Sequence, residues 1–360
     1  MTALWENLQS LRARLRPGTR FMGVVKADAY GHGLLPVARA LETYGADGLA
    51  VAFGAEAAEL RDQHIRLPIL VMGGPYREWA SFYQHYEVTA TVFDAEAARR
   101  MNAEAMAPLR VHLKVDTGMG RLGVPLADLP AFLEQWRAWP KLILDGVFSH
   151  FACADEADDS LTETQIKRFE QAVEAVRAHG HRPTILHMAN SAATLRYPAS
   201  HFDMVRVGLA LYGVQPGGDP TGERPVLRPV MRVWSEVALV KDLPEGATSG
   251  YGAEFVARRP TRLIVIPLGY ADGFRRSATG AAVVLRGRRI PVVGRVSMDM
   301  IVADASDHPE AASIRRSEPV EIFGQPGADG IRAEDHAVWA GTVPYEILTG
   351  IGGRVNRRIV

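Results

Sequence analysis

Through the first two thirds of the chain, short apolar, β-branched runs alternate with amphipathic or alanine-rich stretches. The runs predict strands over residues 21–25, 48–52, 69–72, 88–92, 111–115, 142–148, 184–188 and 204–209. The stretches between them predict helices over 34–44, 55–63, 95–106, 126–139 and 162–179. Strand–helix alternation implies parallel pairing through crossover helices. Eight such units in about 210 residues fit a closed (β/α)8 TIM-like barrel, with a doubly wound open sheet as the competitor that periodicity alone leaves open.

The texture changes at 215–229, a Gly- and Pro-rich run that reads as a linker. Beyond it, apolar runs at 233–240, 263–267, 281–284, 290–293 and 300–303 are separated by turns, with few helical patterns. This predicts a mostly antiparallel β domain, closed by the stretch from Ala333 onward. The expected organisation is a barrel over 1–225 followed by a C-terminal β domain over 226–360, with no internal repeat or low-complexity segment.

Composition narrows the function classes. A chain of 360 residues, 47% apolar, can bury a large core and a second unit. Lys plus Arg and Asp plus Glu are both 41 and are scattered, so no field of one sign argues for nucleic acid or an anionic membrane. Cys153 is the single cysteine, which rules out an internal disulfide. The N-terminal segment lacks an apolar h-region and no run reaches the length of a membrane span, so a cytoplasmic protein is expected.

In a barrel the βα loops converge on one face, which makes strand ends the place to look for chemistry. Lys26 ends the first run, in VVKADAYGHG. It is either a lysine leaving a strand for solvent or a desolvated Schiff-base lysine, and the small residues around it and the Tyr30 phenol favour the second. LKVDTGMGRLG places Lys114 and Asp116 at the end of the fifth strand and Arg121 after a glycine-rich turn, where a guanidinium suits a carboxylate. His150 closes the sixth strand and reads as a site wall. Asn190 or Ser191 caps the next helix, and an exposed helix N-terminus also binds anions. Arg206 lies within the eighth strand and is expected to touch a ligand or an acid, since an unpaired inward arginine is costly. Ser191 and Gly208, after strands seven and eight, form a candidate phosphate cradle. A lysine, a phosphate cradle and an inward arginine on one barrel face specify a pyridoxal 5′-phosphate (PLP) site.

Eight motifs in register, VVKADAYGHG, KVDTGMGRLG, SHFACAD, HMANSAA, MVRVGLALYG, SGYGAEF, PLGYADG and VGRVSMDM, together resemble the bacterial alanine racemase family over nearly the whole chain. The resemblance implies a PLP-binding barrel with a β domain, and racemisation of L- and D-alanine by two bases on opposite faces. Lys26 would carry PLP and act as one base, and Tyr251 would act as the other from a partner subunit of a homodimer. Tyr30, Ser191 and Gly208 would hold the phosphate, and His150 and Asn190 would line the cofactor. Arg121 would touch the PLP phenolic oxygen and the substrate carboxylate, oriented by a carbamylated Lys114. The Met298 N–H would help hold the carboxylate, with Tyr270 and Asp299 at the site edge, also from the other chain. Arg206 is expected to face the pyridine nitrogen; having no acceptor capacity, it would leave that nitrogen unprotonated.

The chain departs from the family in three places. It starts almost at the first helix, where many members carry a further strand of the β domain, so either the start is truncated or the β domain loses one edge strand. Ser297 stands where some members have cysteine. Gly353 stands where some have a gating tyrosine, which leaves open how narrowly alanine is selected over serine or larger residues. The alternatives are a racemase of broader specificity (serine or lysine), of which the broad-spectrum kind acting on lysine or arginine usually carries a signal peptide, a PLP decarboxylase, and a non-catalytic PLP carrier, which would lack the second domain. Cell-wall D-alanine supply and L-alanine breakdown use the same chemistry, and the sequence does not separate them.

Overall fold

The structure, a computed structural model, describes residues 1–75, 79–217, 225–324 and 329–360. It divides into two compact units, Met1–Ala29 with Gly33–Leu227, and Tyr30–His32 with Arg228–Val360. Residues 218–224 of the 215–229 linker fall outside the described residues.

In the first unit, eight parallel strands form the barrel among the described residues: β1 (Arg20–Val24), β2 (Gly48–Val51), β3 (Ile69–Val71), β4 (Ala90–Val92), β5 (Leu109–Asp116), β6 (Leu142–Phe148), β7 (Ile185–His187) and β8 (Met204–Val207), with a short segment, Val124–Pro125, pairing parallel to β5 off the ring. Each pairs with its sequence neighbours, and β1 pairs with β8. Between β3 and β4 the ring is joined by a parallel bridge, Leu70 to Thr89. This is a nearly closed TIM-like barrel, and the open-sheet alternative is removed. The strands are short and nearly all their residues are buried, because helices cover the outside while side chains fill the inside. Helix α1 (Thr2–Arg12) buries Leu4, Leu8 and Leu11 along one stripe, and its Asn7 donates to the Leu211 carbonyl at 3.1 Å.

The strand boundaries differ from the sequence expectation where function begins. Strand β1 stops at Val24, so Lys26 does not end the strand but opens a single helical turn, Lys26–Gly31. This turn is left-handed: Ala27, Asp28, Ala29 and Tyr30 have φ between 52° and 54°. A left-handed conformation costs each non-glycine residue about 1–2 kcal/mol, so the turn persists only because its surroundings fix it. Asp28 accepts from Leu34 N–H at 2.7 Å, and Ala29 N–H reaches the Val25 carbonyl at 2.8 Å.

The main sheet of the second unit has, among the described residues, seven antiparallel strands: β9 (Val233–Glu236), β10 (Leu239–Leu243), β11 (Thr261–Ile266), β12 (Ala282–Leu285), β13 (Arg288–Val293), β14 (Ile301–Asp304) and β15 (Pro319–Phe323), beside a two-stranded pair of Thr248–Ser249 and Phe255–Val256. Their order is β9-β15-β12-β13-β14-β11-β10. The apolar run 233–240 therefore splits into two strands that pair with opposite ends of the sheet order, β9 with β15 and β10 with β11. Strand β15 escapes the pattern reading, although its Val320 and Ile322 alternate inward. The stretch from Ala333 onward, expected to close this domain, forms two helices, Ala333–Ala340 and Pro344–Thr349. No helix among the described residues is long and apolar enough to cross a membrane.

The left-handed turn gives a signed prediction. Ala27 is exposed, so Ala27→Gly removes backbone strain without removing packing. Stability should rise by up to about 1 kcal/mol after the entropic cost of glycine is subtracted. A urea titration reads this as a higher midpoint; a lower midpoint would mean that the turn is not strained.

Candidate active site

The barrel's C-terminal rim gathers cations. Lys26, half-buried, opens the left-handed turn. Burial pulls its pKa below the ordinary lysine value; Arg121 and Arg206 add to the lowering, and Glu56 opposes them. The Glu56 carboxylate is itself occupied, accepting from the N–H groups of Ala27 (2.6 Å), Ala52 (2.8 Å) and Phe53 (3.1 Å). It thereby ties the Lys26 turn to the start of the helix Gly54–Asp62.

Lys114 lies on β5 with only 6% of its surface exposed. Burial first, then Arg206 and Arg121, brings its pKa down to about 8 against a weak pull from Asp116. Asp116 is also engaged, accepting from the N–H groups of Gly118, Met119 and Gly120 at 2.9–3.2 Å. That turn delivers Arg121, which is exposed. Gly123 must stay glycine: at φ 128° a Cβ would lie 2.5 Å from the Asp116 nitrogen.

Arg206 on β8 is 3% exposed. Of the ligand or acid expected to meet it, no acid pairs with it among the described residues. Its guanidinium instead donates to the carbonyls of Ser149 (2.8 Å) and Met188 (3.2 Å), to His187 Nδ1 (2.8 Å) and to His150 Nδ1 (3.2 Å). Carbonyls and neutral imidazoles accept from its NH1 and NH2 without cancelling the charge, and burial lowers the Arg206 pKa to about 9. The same burial, with Arg206, Arg121, Lys114 and Lys26 around it, drives His150 well below the usual histidine range. Phe148 supplies an aromatic face to two of the cations, Lys114 at 5.5 Å and Arg206 at 5.2 Å.

Ser191 and Gly208 meet directly: the Ser191 Oγ accepts from Gly208 N–H (3.1 Å) and Ala210 N–H (3.2 Å), which ties the loops after β7 and β8 together. Asn190 is the N-cap of the helix Ser191–Arg196, its side chain accepting from Ala193 N–H at 3.0 Å.

The remaining sequence-predicted residues belong to the second unit. Tyr30 is buried, with its ring 6.0 Å from that of Tyr345, and burial raises its phenol pKa so that it stays a donor. Tyr251 is 68% exposed on the turn Tyr251–Ala253, beside the ion pair of Arg295 and Glu254. Tyr270 and Met298 are also exposed and are held together by backbone: Ala271 N–H donates to the Met298 carbonyl and Tyr270 N–H to that of Ser297, both at 3.0 Å. Gly269 permits this approach, since a Cβ there would sit 2.3 Å from the Met298 oxygen. Arg354 bridges Asp272 (2.6 Å) and Asp299 (2.7 Å). A side chain at Gly353 would meet nothing within 4 Å.

Sequence reading did not single out Glu56, His112, Phe148, His187, Asp272 or Arg354. His187 stands within HMANSAA, and His112 shares the inward alternation of Lys114, which is the signal available for it.

Residues 1–216 match the family described as alanine racemase, N-terminal domain, and residues 230–359 match alanine racemase, C-terminal domain. The alanine racemase of Syntrophobacter fumaroxidans is 43% identical over 358 residues, covering 98% of this chain and 94% of that protein. That of Citrifermentans bemidjiense is 40% identical and covers 100% of this chain and 96% of its own. Among solved structures, alanine racemase from Clostridium difficile 630 superposes with a TM-score of 0.91 at 33% identity, covering 99% and 93% of the two chains. The biosynthetic alanine racemase of Pseudomonas aeruginosa gives 0.87 at 37%, covering 99% and 96%.

The Lys114 environment predicts a pH effect. With its folded pKa near 8 and the ordinary value at 10.5, the unfolded chain binds more protons between those limits, so stability rises with pH across that window. In CO2-free buffer, the stability gained on Lys114→Met should be largest below pH 8 and shrink towards pH 10.5. A pH-independent difference in urea midpoint would contradict this.

Proposed function

The chain belongs to the alanine racemase family, a PLP-dependent isomerase family, and from that premise we propose how its own residues divide the interconversion of L- and D-alanine. The supporting observation is the set of cations at the barrel rim: Lys26, Lys114, Arg121 and Arg206 influence one another, while the nearby carboxylates Glu56 and Asp116 are occupied by backbone N–H groups. Such a set needs an anion, and PLP, with a phosphate and a phenolic oxygen, fits it; Lys26, desolvated toward its neutral form, fits the role of the lysine that carries the cofactor. Bound there, PLP supplies the electron sink that acidifies the substrate α-proton.

In this reading Tyr30, Ser191 and Gly208 hold the phosphate, with His150 and Asn190 along the cofactor. Arg206 would donate toward the pyridine nitrogen and, having no lone pair to offer, would leave that nitrogen without a proton. Arg121 grips the substrate carboxylate, helped by the Met298 N–H. Lys114 in its neutral form adds CO2 through its Nζ and loses a proton, which turns a crowded cation into a carbamate that orients Arg121; its lowered pKa supports this. Lys26 and the Tyr251 phenol act as bases on opposite faces, one removing the α-proton while the other returns one. Tyr251, Tyr270, Met298 and Asp299 are exposed in their own chain, which supports a homodimer in which each serves its partner's site. A cytoplasmic location belongs to the same reading. The open position at Gly353 supports some tolerance for side chains larger than that of alanine.

Three measurements bear on these roles. In D2O, ¹H NMR should show loss of the α-proton signal and racemisation of L-alanine, tested beside L-serine and L-lysine. Alanine alone means a narrow gate and exchange of all three means a wide one, whereas no exchange with PLP bound would favour a carrier protein. Mixing inactive Lys26→Ala and Tyr251→Phe chains should restore partial activity through one intact composite site; no recovery despite subunit exchange would refute the shared site. Arg206→Glu should raise pyruvate release from alanine relative to racemisation, and an unchanged ratio would count against the Arg206 role.

A further inference from the structure

Behind Arg206 lies a buried chain that none of the roles above uses. Arg206 NH1 is 2.8 Å from His187 Nδ1, and His187 Nε2 is 2.9 Å from His112 Nδ1. A guanidinium has donors only, so His187 Nδ1 must present its lone pair. Its proton therefore sits on Nε2 and is donated to His112 Nδ1, which places the His112 proton on Nε2. The direction of the chain, Arg206 to His187 to His112, follows from the donor count.

The barrel is built to admit the second imidazole. The pairing of β5 with β6 shifts register there: Val111 lies opposite Leu144 but His112 lies opposite Gly146, leaving Asp145 as the extra residue of a bulge. A Cβ on Gly146 would come within 2.6 Å of the His112 ring, so glycine is what makes room for it. Asp145 turns to Arg110 (2.9 Å) and Thr184 (2.9 Å). Phe148 stacks on His187 at 4.8 Å with 9° between the planes and meets His112 edge-on at 6.5 Å. Both histidines are almost fully buried.

We propose that His112 is a positioning residue for racemisation. By accepting from His187 it holds that ring in the one tautomer whose Nδ1 can accept from Arg206, and so fixes the guanidinium edge offered to the cofactor's ring nitrogen. The proposal rests on the Arg206 role given above. Without His112, the His187 proton has lost its acceptor, and a shift to the Nδ1-protonated tautomer would set donor against donor at Arg206. Burial and the Arg206 charge keep both rings neutral, His112 at a pKa of about 4 and His187 well below the usual range, which preserves the chain near neutrality. Coupled hydrogen bonds also polarise one another, so His187 accepts more strongly while it donates.

The test uses the PLP-loaded enzyme with ¹⁵N-labelled histidine and two variants. His112→Leu removes the acceptor while keeping the site apolar, and His112→Asn sets an amide oxygen near the place of Nδ1. In the wild type the His187 resonances should report Nε2 protonation. His112→Leu should lose that pattern, lower kcat about tenfold with KM little changed, the scale of one charge-assisted hydrogen bond, and raise pyruvate release relative to racemisation. His112→Asn should keep the pattern and recover most of kcat. A wild-type His187 pattern and kcat in His112→Leu would overturn the proposal. So would equal losses of kcat in both variants that track their melting temperatures, since that is what a merely structural residue would give. A wild-type enzyme that does not racemise alanine, or an Arg206→Glu variant with an unchanged product ratio, would instead sink the reading on which the proposal rests.

Discussion

Positive charge without a free carboxylate is the constraint around which the barrel rim is organised. Arg206 is buried among carbonyls and imidazoles, which accept from its NH1 and NH2 but leave its charge uncancelled. Lys26, Lys114 and His150 all feel that charge and are pushed toward their neutral forms, with burial the larger cause in each. A lysine pushed toward its neutral amine is a better nucleophile, and a field of uncancelled positive charge favours groups that bring negative charge.

The acids that could have relieved this charge are assigned to the backbone. Glu56 takes three N–H groups and fixes the left-handed turn that carries Lys26. Asp116 shapes the glycine-rich loop before Arg121. A carboxylate with several backbone donors is a weak partner for a lysine nearby, and each of the two acids sets the path of the segment that carries a rim cation, Lys26 or Arg121. Backbone strain at Ala27–Tyr30 belongs to the same arrangement: a right-handed turn after β1 would set Lys26 on a different course.

The interior below the rim is unusual for an apolar barrel, since it holds two neutral histidines in contact with an arginine. A bulge at Asp145 and the missing side chain at Gly146 open the space, and Phe148 covers it from the side.

Much of this was legible in the sequence. Alternating apolar runs located all eight barrel strands to within a few residues, because strands buried on both faces are continuous apolar segments. Lys26, Lys114, His150 and Arg206 could be picked out as polar residues at or within strand ends, where a barrel places its site. Tertiary structure decided what depends on distant parts of the chain. The handedness of the turn at Lys26 rests on Glu56, and the split of 233–240 rests on strands β11 and β15. The partners of Arg206 come from three other strands and loops, so nothing near it in sequence could say that they are imidazoles and carbonyls rather than an acid. His112 is an ordinary residue in an apolar run until β7 and β8 bring His187 and Arg206 to it. Local patterning determines which elements form; long-range packing alone decides which polar groups meet, and with them the protonation states on which the chemistry depends.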